Sequence, residues 1–160
     1  MMYMIRNMTE QDVLAVQQVA AETWHTTYEG IIPRPIQDAF LQQAYEESRL
    51  LQRLQHGFFY VVETEGTVEG FAHFSPVVNG MVTLYAIYIH PALQGKGVGT
   101  AFLQKLHEDV AGVEMIEVEV EQDNQIGIRF YEAKGFQVRE IYEEDFDGHL
   151  LKTVKMYKVV

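Results

Sequence analysis

The spacing of apolar positions switches between helical and strand periods along the chain, and each switch marks an element. Tyr3 to Arg6 is a short run that predicts a first strand. Val13, Leu14, Val16, Val19 and Ala20 then recur at helical spacing, so a helix is predicted to about Thr23. Thr9, followed three residues on by Asp12, forms a variant capping box at its start. Ile31-Ile32 precedes Pro33 and Pro35, which break the helix. Ile36, Phe40, Leu41 and Tyr45 predict a second helical piece, and Leu50, Leu51 and Leu54 a third that stops near Gly57. The period then falls to two. Phe58 to Thr64 and Thr67 to Ser75 are predicted strands, with Glu65-Gly66 as the tight turn between them. Asn79-Gly80 opens a longer apolar strand, Met81 to Ile89, ended by Pro91. A glycine-rich segment leads into a helix over about Val98 to Val110. Met115 to Val120 alternates, with Ile116, Val118 and Val120 on one face and Glu117, Glu119 and Glu121 on the other. Asn124 to Lys134 is a predicted helix. Phe136 to Tyr142 and His149 to Val159 are closing strands around Asp145-Phe146-Asp147-Gly148.

Both helices of the second half join strands by crossovers too long for hairpins, which implies a mixed sheet packed against helices, an α/β (α+β) arrangement. At 160 residues, with 48% hydrophobic and 22% charged, the chain is expected to form one domain, residues 1–160, with a core that requires no staples. The absence of cysteine excludes disulfides, thiolate metal sites and a cysteine nucleophile. The histidines form no His-x-x-x-His pair, so no metal site is expected. The net charge of −11 argues against nucleic acid and in favour of cationic partners. No apolar run reaches the roughly 18 residues of a membrane helix. The start lacks a basic segment followed by a long apolar one, so no membrane association and a soluble cytoplasmic protein are expected.

The candidate chemistry begins at Gln94-Gly95-Lys96-Gly97-Val98-Gly99-Thr100, between an apolar strand and a helix. Glycines there let a backbone approach an anion closely, and free N–H groups at the helix start point at it. The loop is not a Walker A sequence, because no Lys-Ser or Lys-Thr follows. It is not the dinucleotide fingerprint either, because Thr100 stands where the third glycine belongs. Leu84-Tyr85-Ala86-Ile87-Tyr88-Ile89-His90-Pro91-Ala92-Leu93-Gln94-Gly95-Lys96-Gly97-Val98-Gly99 resembles the core motif of the GNAT acetyltransferase superfamily, an apolar strand, a proline, then Gln/Arg-x-x-Gly-x-Gly/Ala. Asn124-Gln125-Ile126-Gly127-Ile128-Arg129-Phe130-Tyr131-Glu132-Ala133-Lys134-Gly135-Phe136 resembles its second motif, Asn, then Phe-Tyr, then Gly-Phe. The element order matches as well, so the resemblance covers essentially the whole chain. It implies a single-domain fold with a mixed, mostly antiparallel central sheet of about seven strands flanked by helices. It also implies acetyl-coenzyme A as co-substrate and no metal. Residues assigned to the cofactor by this resemblance are the strand segment Ile87, Tyr88 and Ile89, whose backbone would pair with the pantetheine arm, and Gln94. The N–H groups of Gly95, Lys96, Gly97, Val98, Gly99 and Thr100 would hold the pyrophosphate. Asn124 and Phe130 belong to the same assignment, and Tyr131 would face the thioester sulfur.

Acetyl transfer to an amine needs a neutral amine, stabilisation of the carbonyl oxygen and protonation of the departing thiolate. A strand N–H near Ile89 suits the second need, and a tyrosine hydroxyl, Tyr131, suits the third. Many family members carry a glutamate early in the fourth strand, where this chain has Thr83. Glu119 on the next strand is the substitute base, balanced against a plain solvated carboxylate. Trp24 and Tyr28, with Phe40, flank the interrupted helices where the family places its acceptor, in a segment resembling small-molecule and polyamine acetyltransferase-like members. Trp24 reads more readily as a core anchor than as a substrate contact. Glu143, Glu144, Asp145 and Asp147 would attract a polycation or form a solvated turn. The expected acceptor is a small-molecule primary amine. A protein N-terminus or lysine, and a non-catalytic acyl-coenzyme A sensor, stay open as alternatives. Edge strands at the last hairpin make a homodimer reasonable.

Overall fold

The computed structural model describes residues 2–160. The chain starts with β1 (Met4–Asn7), and a single 3₁₀ turn, Glu10–Asp12, leads into α1 (Val13–Tyr28). The capping box is formed, the Thr9 amide donating to Asp12 Oδ2 at 2.8 Å. Arg6 clasps the same carboxylate at 2.8 Å, fastening α1 to the first strand. Two short helices follow, α2 (Arg34–Ala44) and α3 (Glu47–Arg53), then a meander of β2 (Phe58–Thr64), β3 (Thr67–Phe74) and β4 (Met81–Ile89). The second half runs α4 (Val98–Asp109), β5 (Met115–Glu121), α5 (Gln125–Ala133), β6 (Gln137–Phe146) and β7 (His149–Val159).

The strands form one seven-stranded sheet in the order β1-β2-β3-β4-β5-β7-β6. Among the described residues only β4 and β5 pair in parallel, because α4 carries the chain over the sheet between them. One face packs on α4 and α5 through Phe102, Leu106, Tyr131 and Phe136. The other packs on α1 through Val16, Val19 and Ala20, with Leu50 of α3 beside them.

Two boundaries differ from expectation. Helix α1 runs on through Trp24 to Tyr28, since nothing breaks it before Gly30, which takes φ +79°. Strand β6 extends to Phe146, so the last turn is Asp147-Gly148 alone, both residues at positive φ. The acidic residues expected to cluster there are thereby spread along a strand that alternates faces. Glu144 accepts from Thr153 Oγ1 at 2.6 Å, while Asp145 Oδ1 accepts from the Gly148 amide.

Two irregularities in β4 prepare the site. Its register with β3 shifts so that Phe74 pairs with Leu84 but His73 with Ala86, leaving Tyr85 as an extra residue. Such a bulge reverses which face later side chains take. Val82 and Leu84 belong to the α4 side, and Ala86 to the α1 side. The parallel pairing with β5 also ends here: the register runs from Met81↔Met115 to Leu84↔Val118 and no further. Beyond it the two strands part.

Candidate active site

A cavity of about 660 Å³ fills the opening between the parted strands. Its walls are Tyr85 to Ile89 of β4, Val118 to Val120 of β5, the turn into α4, and the start and one face of α5. The end of α1, from Thr23 to Tyr28, closes the remaining side.

The β4 wall presents backbone. The His90 amide donates to Glu69 O at 2.8 Å. Alternation along an antiparallel ladder then turns the N–H and C=O of Ile87 and Ile89 away from β3 and into the opening. Gln94 Nε2 reaches back to Ile89 O at 3.2 Å and ties the turn to the strand end. An extended chain laid along this edge would find unpaired ladder groups.

The turn into α4 presents backbone amides without acceptors, an arrangement that suits an anion. Gly97 is the residue before the helix and adopts φ 82°, ψ 8°, the left-handed region that side chains disfavour. The first bond from a helical amide back along the turn is Ala101 N to Gly97 O at 3.0 Å, so the amides of Val98, Gly99 and Thr100 lack an intrahelical acceptor. Gly95 also has positive φ, with open space where a side chain would begin. Gly99 is needed for another reason. A Cβ there would lie 2.7 Å from Phe130 Cζ, so glycine lets the Phe130 ring rest on α4 and join the two helices. Lys96 is exposed and does not line the cavity.

Helix α5 supplies the opposite wall. Asn124 caps it, Oδ1 accepting from the Gly127 amide at 3.0 Å. The cap consumes the side-chain carbonyl and leaves Nδ2 to donate. Gly127 preserves that arrangement, since a Cβ would come within 2.8 Å of Nδ2. Glu121, expected on the polar face of its strand, is instead buried, its carboxylate accepting from the Asp123 amide in the turn before α5. Tyr131 lies two helical turns along from Asn124 and lines the same cavity. It is 6% exposed, and burial, with the Tyr88 phenol nearby, pushes its hydroxyl above the usual tyrosine range. The group therefore stays protonated and can donate to a charge that develops beside it.

On the acceptor side the expectations divide. Tyr28 lines the cavity, its hydroxyl beside the Asn124 amide, and burial raises its pKa. Trp24 does not line it. The indole is 6% exposed, stacks on Phe40 at 4.3 Å, and donates from Nε1 to Tyr88 Oη at 2.7 Å. It is a core anchor that holds Tyr28 and Tyr88 in place, because a group this large gains more from burial than from a solvent-facing pocket. Thr26, Thr27 and Tyr85 complete this wall, and sequence reasoning missed them. Thr23, Thr26 and Thr27 stand at i, i+3 and i+4 on α1, so helical periodicity counted from Thr23 would have found the two threonines. Nothing in the sequence marks Tyr85 as the bulged residue. Glu119 lines the cavity and is exposed, whereas Thr83 lies in the paired part of β4, its amide and carbonyl both bonded to Ser75. Among the described residues no group of His, Asp and Glu is arranged to hold a metal, and no helix is long and apolar enough to cross a membrane.

Comparison with known proteins bears on this geometry. Residues 17–136 match the profile of the acetyltransferase (GNAT) family. An uncharacterized N-acetyltransferase of Bacillus subtilis, YuaI, is 30% identical over 161 residues, covering 96% of this chain and 91% of the relative. The spermidine N(1)-acetyltransferase of Thermoplasma acidophilum is 24% identical over 150 residues, 89% of this chain and 92% of the relative. Among solved structures, the PaiA N-acetyltransferase of T. acidophilum in complex with coenzyme A superposes with a TM-score of 0.86 over 100% of both chains, at 24% identity.

Proposed function

Since the chain belongs to the acetyltransferase (GNAT) family, whose acyl donor is acetyl-coenzyme A, we propose that it transfers the acetyl group to a primary amine of a small molecule by direct attack. The co-substrate supplies the acyl carbon as a thioester. The amides of Gly95 through Thr100 bind its pyrophosphate, the backbone of Ile87 and Ile89 takes the pantetheine arm, and Asn124 Nδ2 donates to that arm from the other wall. Gln94, Tyr88 and Phe130 shape the channel. Glu119 accepts a proton from the bound ammonium, directly or through water, and the neutral amine that results attacks the thioester carbonyl. The new carbon–nitrogen bond forms as the carbon–sulfur bond breaks, and Tyr131 Oη gives a proton to the departing sulfur. The Ile89 amide is the donor for the carbonyl oxygen. The nitrogen loses a second proton to solvent as the amide forms, and solvent exchange resets Glu119 and Tyr131; of the two protons lost by the ammonium, one is released and one balances the proton on the thiol.

The observation that carries this reading is that Glu119, Tyr131 and the unbonded amides before α4 line one cavity. Two features favour a cationic acceptor: the net charge of −11 and the resemblance to a spermidine acetyltransferase. The test is a panel of spermidine, amino acids and short peptides, assayed by release of the coenzyme A thiol. Spermidine-like amines are expected to turn over. Turnover of peptides alone would replace the acceptor by a protein. Tight cofactor binding without turnover of any amine would make the chain an acyl-coenzyme A sensor.

A further inference from the structure

The bulge that parts β4 from β5 also fixes an aromatic ring at the mouth of the cavity. Tyr85 lies one step past Leu84 and Val118, the last positions paired between the two strands, and Glu119 is the matching step on β5. Both residues line the cavity, and they share a sheet face. Tyr85 packs toward His73, whose ring stacks on Phe59 of the α1 layer, while Glu119 stands opposite Val118 and Val120 of the α4 layer. The Tyr85 ring is 60% exposed but is held in place. Its centroid lies 5.1 Å from that of His73, which is itself buried and joined through Nε2 to His56 O at 3.1 Å. The ring is therefore braced on one side and bare on the other. The carboxylates on this face differ in availability. Glu117 takes Arg139 at 2.9 Å and Lys155 at 3.6 Å, and Lys155 also reaches Glu140 at 3.5 Å. Lys155 is the register partner of Glu119, yet it pairs with these neighbours instead, which leaves Glu119 for a cation from outside.

We propose that Tyr85 sets the specificity for the acceptor: its open ring face carries the second ammonium of a linear aliphatic diamine or polyamine whose reacting amine lies at Glu119. This deepens the reading of the site as a small-amine acetyltransferase and rests on it. A cation over an aromatic face is drawn to the negative side of the ring quadrupole, and the alkyl stem between two ammonium groups packs on the same surface. An amine with one charge has nothing to place over the ring. An amino acid brings a carboxylate toward Glu119 and is repelled. The residue two positions along, Ile87, offers backbone to the cavity, so only the bulged position combines a side chain at the mouth with a neighbour that fixes it.

The test measures kcat and KM for spermidine, putrescine and butylamine in wild type, Tyr85→Phe and Tyr85→Leu, with KM for acetyl-coenzyme A alongside. Leucine keeps apolar bulk and removes the aromatic face, and phenylalanine keeps the face. Tyr85→Thr, a second replacement suited to a strand, should behave as leucine does, and an unchanged melting temperature checks the fold. Tyr85→Leu is expected to raise KM for spermidine and putrescine by about three- to tenfold, with kcat retained. KM for butylamine should stay within about twofold, Tyr85→Phe should match wild type, and KM for acetyl-coenzyme A should not move. An equal rise for butylamine would make the ring a plain apolar wall and overturn the cation platform. Unchanged KM for spermidine in Tyr85→Leu would overturn the role of Tyr85 while the small-amine reading stands. Wild-type turnover of peptides alone would remove that reading and the role of Tyr85 with it.

Discussion

The same two strands behave differently at their two ends. From Met81 to Leu84, β4 is paired with Met115 to Val118 of β5, and Val82, Leu84 and Ile116 are almost wholly buried. From Tyr85 to Ile89 the partner is gone, the pairing groups of alternate residues face a cavity, and Tyr85 is 60% exposed. One residue separates the regimes, the bulge at Tyr85. An unpaired strand edge inside a protein is costly unless something bonds to it, so the open end calls for an extended ligand with amide groups of its own. The closed end is ordinary core and holds the open end in shape.

Substitutions can break that division. Gly97→Val should have the largest effect on the open end. A β-branched residue at φ 82° costs roughly 1–3 kcal/mol in strain and fills the anion cradle, so affinity for coenzyme A should fall by about a hundredfold or more in calorimetry. Normal affinity would remove the loop from the account. Tyr131→Phe should lower turnover by roughly ten- to a thousandfold while cofactor affinity stays, provided chemistry limits the rate. At the closed end, Leu84→Ala should act on stability, by about 2–5 kcal/mol in denaturant unfolding. The folded fraction should keep its turnover, and selective loss of cofactor binding instead would erase the distinction between the ends.

The smallest expected effect at neutral pH belongs to His73, which stands opposite the bulge and stacks on Phe59 at 4.9 Å. Burial lowers its pKa to about 4 from 6.5, so it is neutral in the fold. Its contribution is complete above pH 6.5 and is lost as pH falls toward 4, at most roughly 3 kcal/mol over that window. His73→Phe should flatten the pH dependence of the melting temperature between those values, with turnover near neutrality little changed. An equally steep profile in the variant would assign the acid sensitivity to other groups.

How legible these regions were follows from their physics. The cavity wall formed by the α4 turn and α5 is written in local signals: glycines at positions 95, 97 and 99, and a helical interval from Asn124 to Tyr131. The glycine turn and the helical interval are local and legible as such, the assignment of these residues to a cofactor came from the family resemblance, and the cap at Asn124 is a finding of the structure. The wall formed by the end of α1 and by Tyr85 is braced from behind by segments distant in the chain, through tertiary contacts. Phe146 of the last hairpin lies 5.3 Å from Phe40, and His149 Nε2 is 2.9 Å from Ile31 O, 118 residues apart in the chain. No local pattern announces such contacts. Trp24 was therefore kept as a candidate substrate contact although the core reading was favoured, and Tyr85 was passed over because a bulge depends on a partner strand. Glu121 followed the alternation of its strand on paper, but the turn into α5 supplied an amide that drew it inside.

The contrast between the two ends of β4 and β5 is most directly tested by amide hydrogen exchange with and without coenzyme A. Added cofactor should slow exchange at residues 95, 97–100, 87 and 89, while Val82 and Leu84, already bonded in the sheet, stay as they were. Protection confined to other segments, or none at the turn before α4, would contradict the placement of the cofactor between the parted strands.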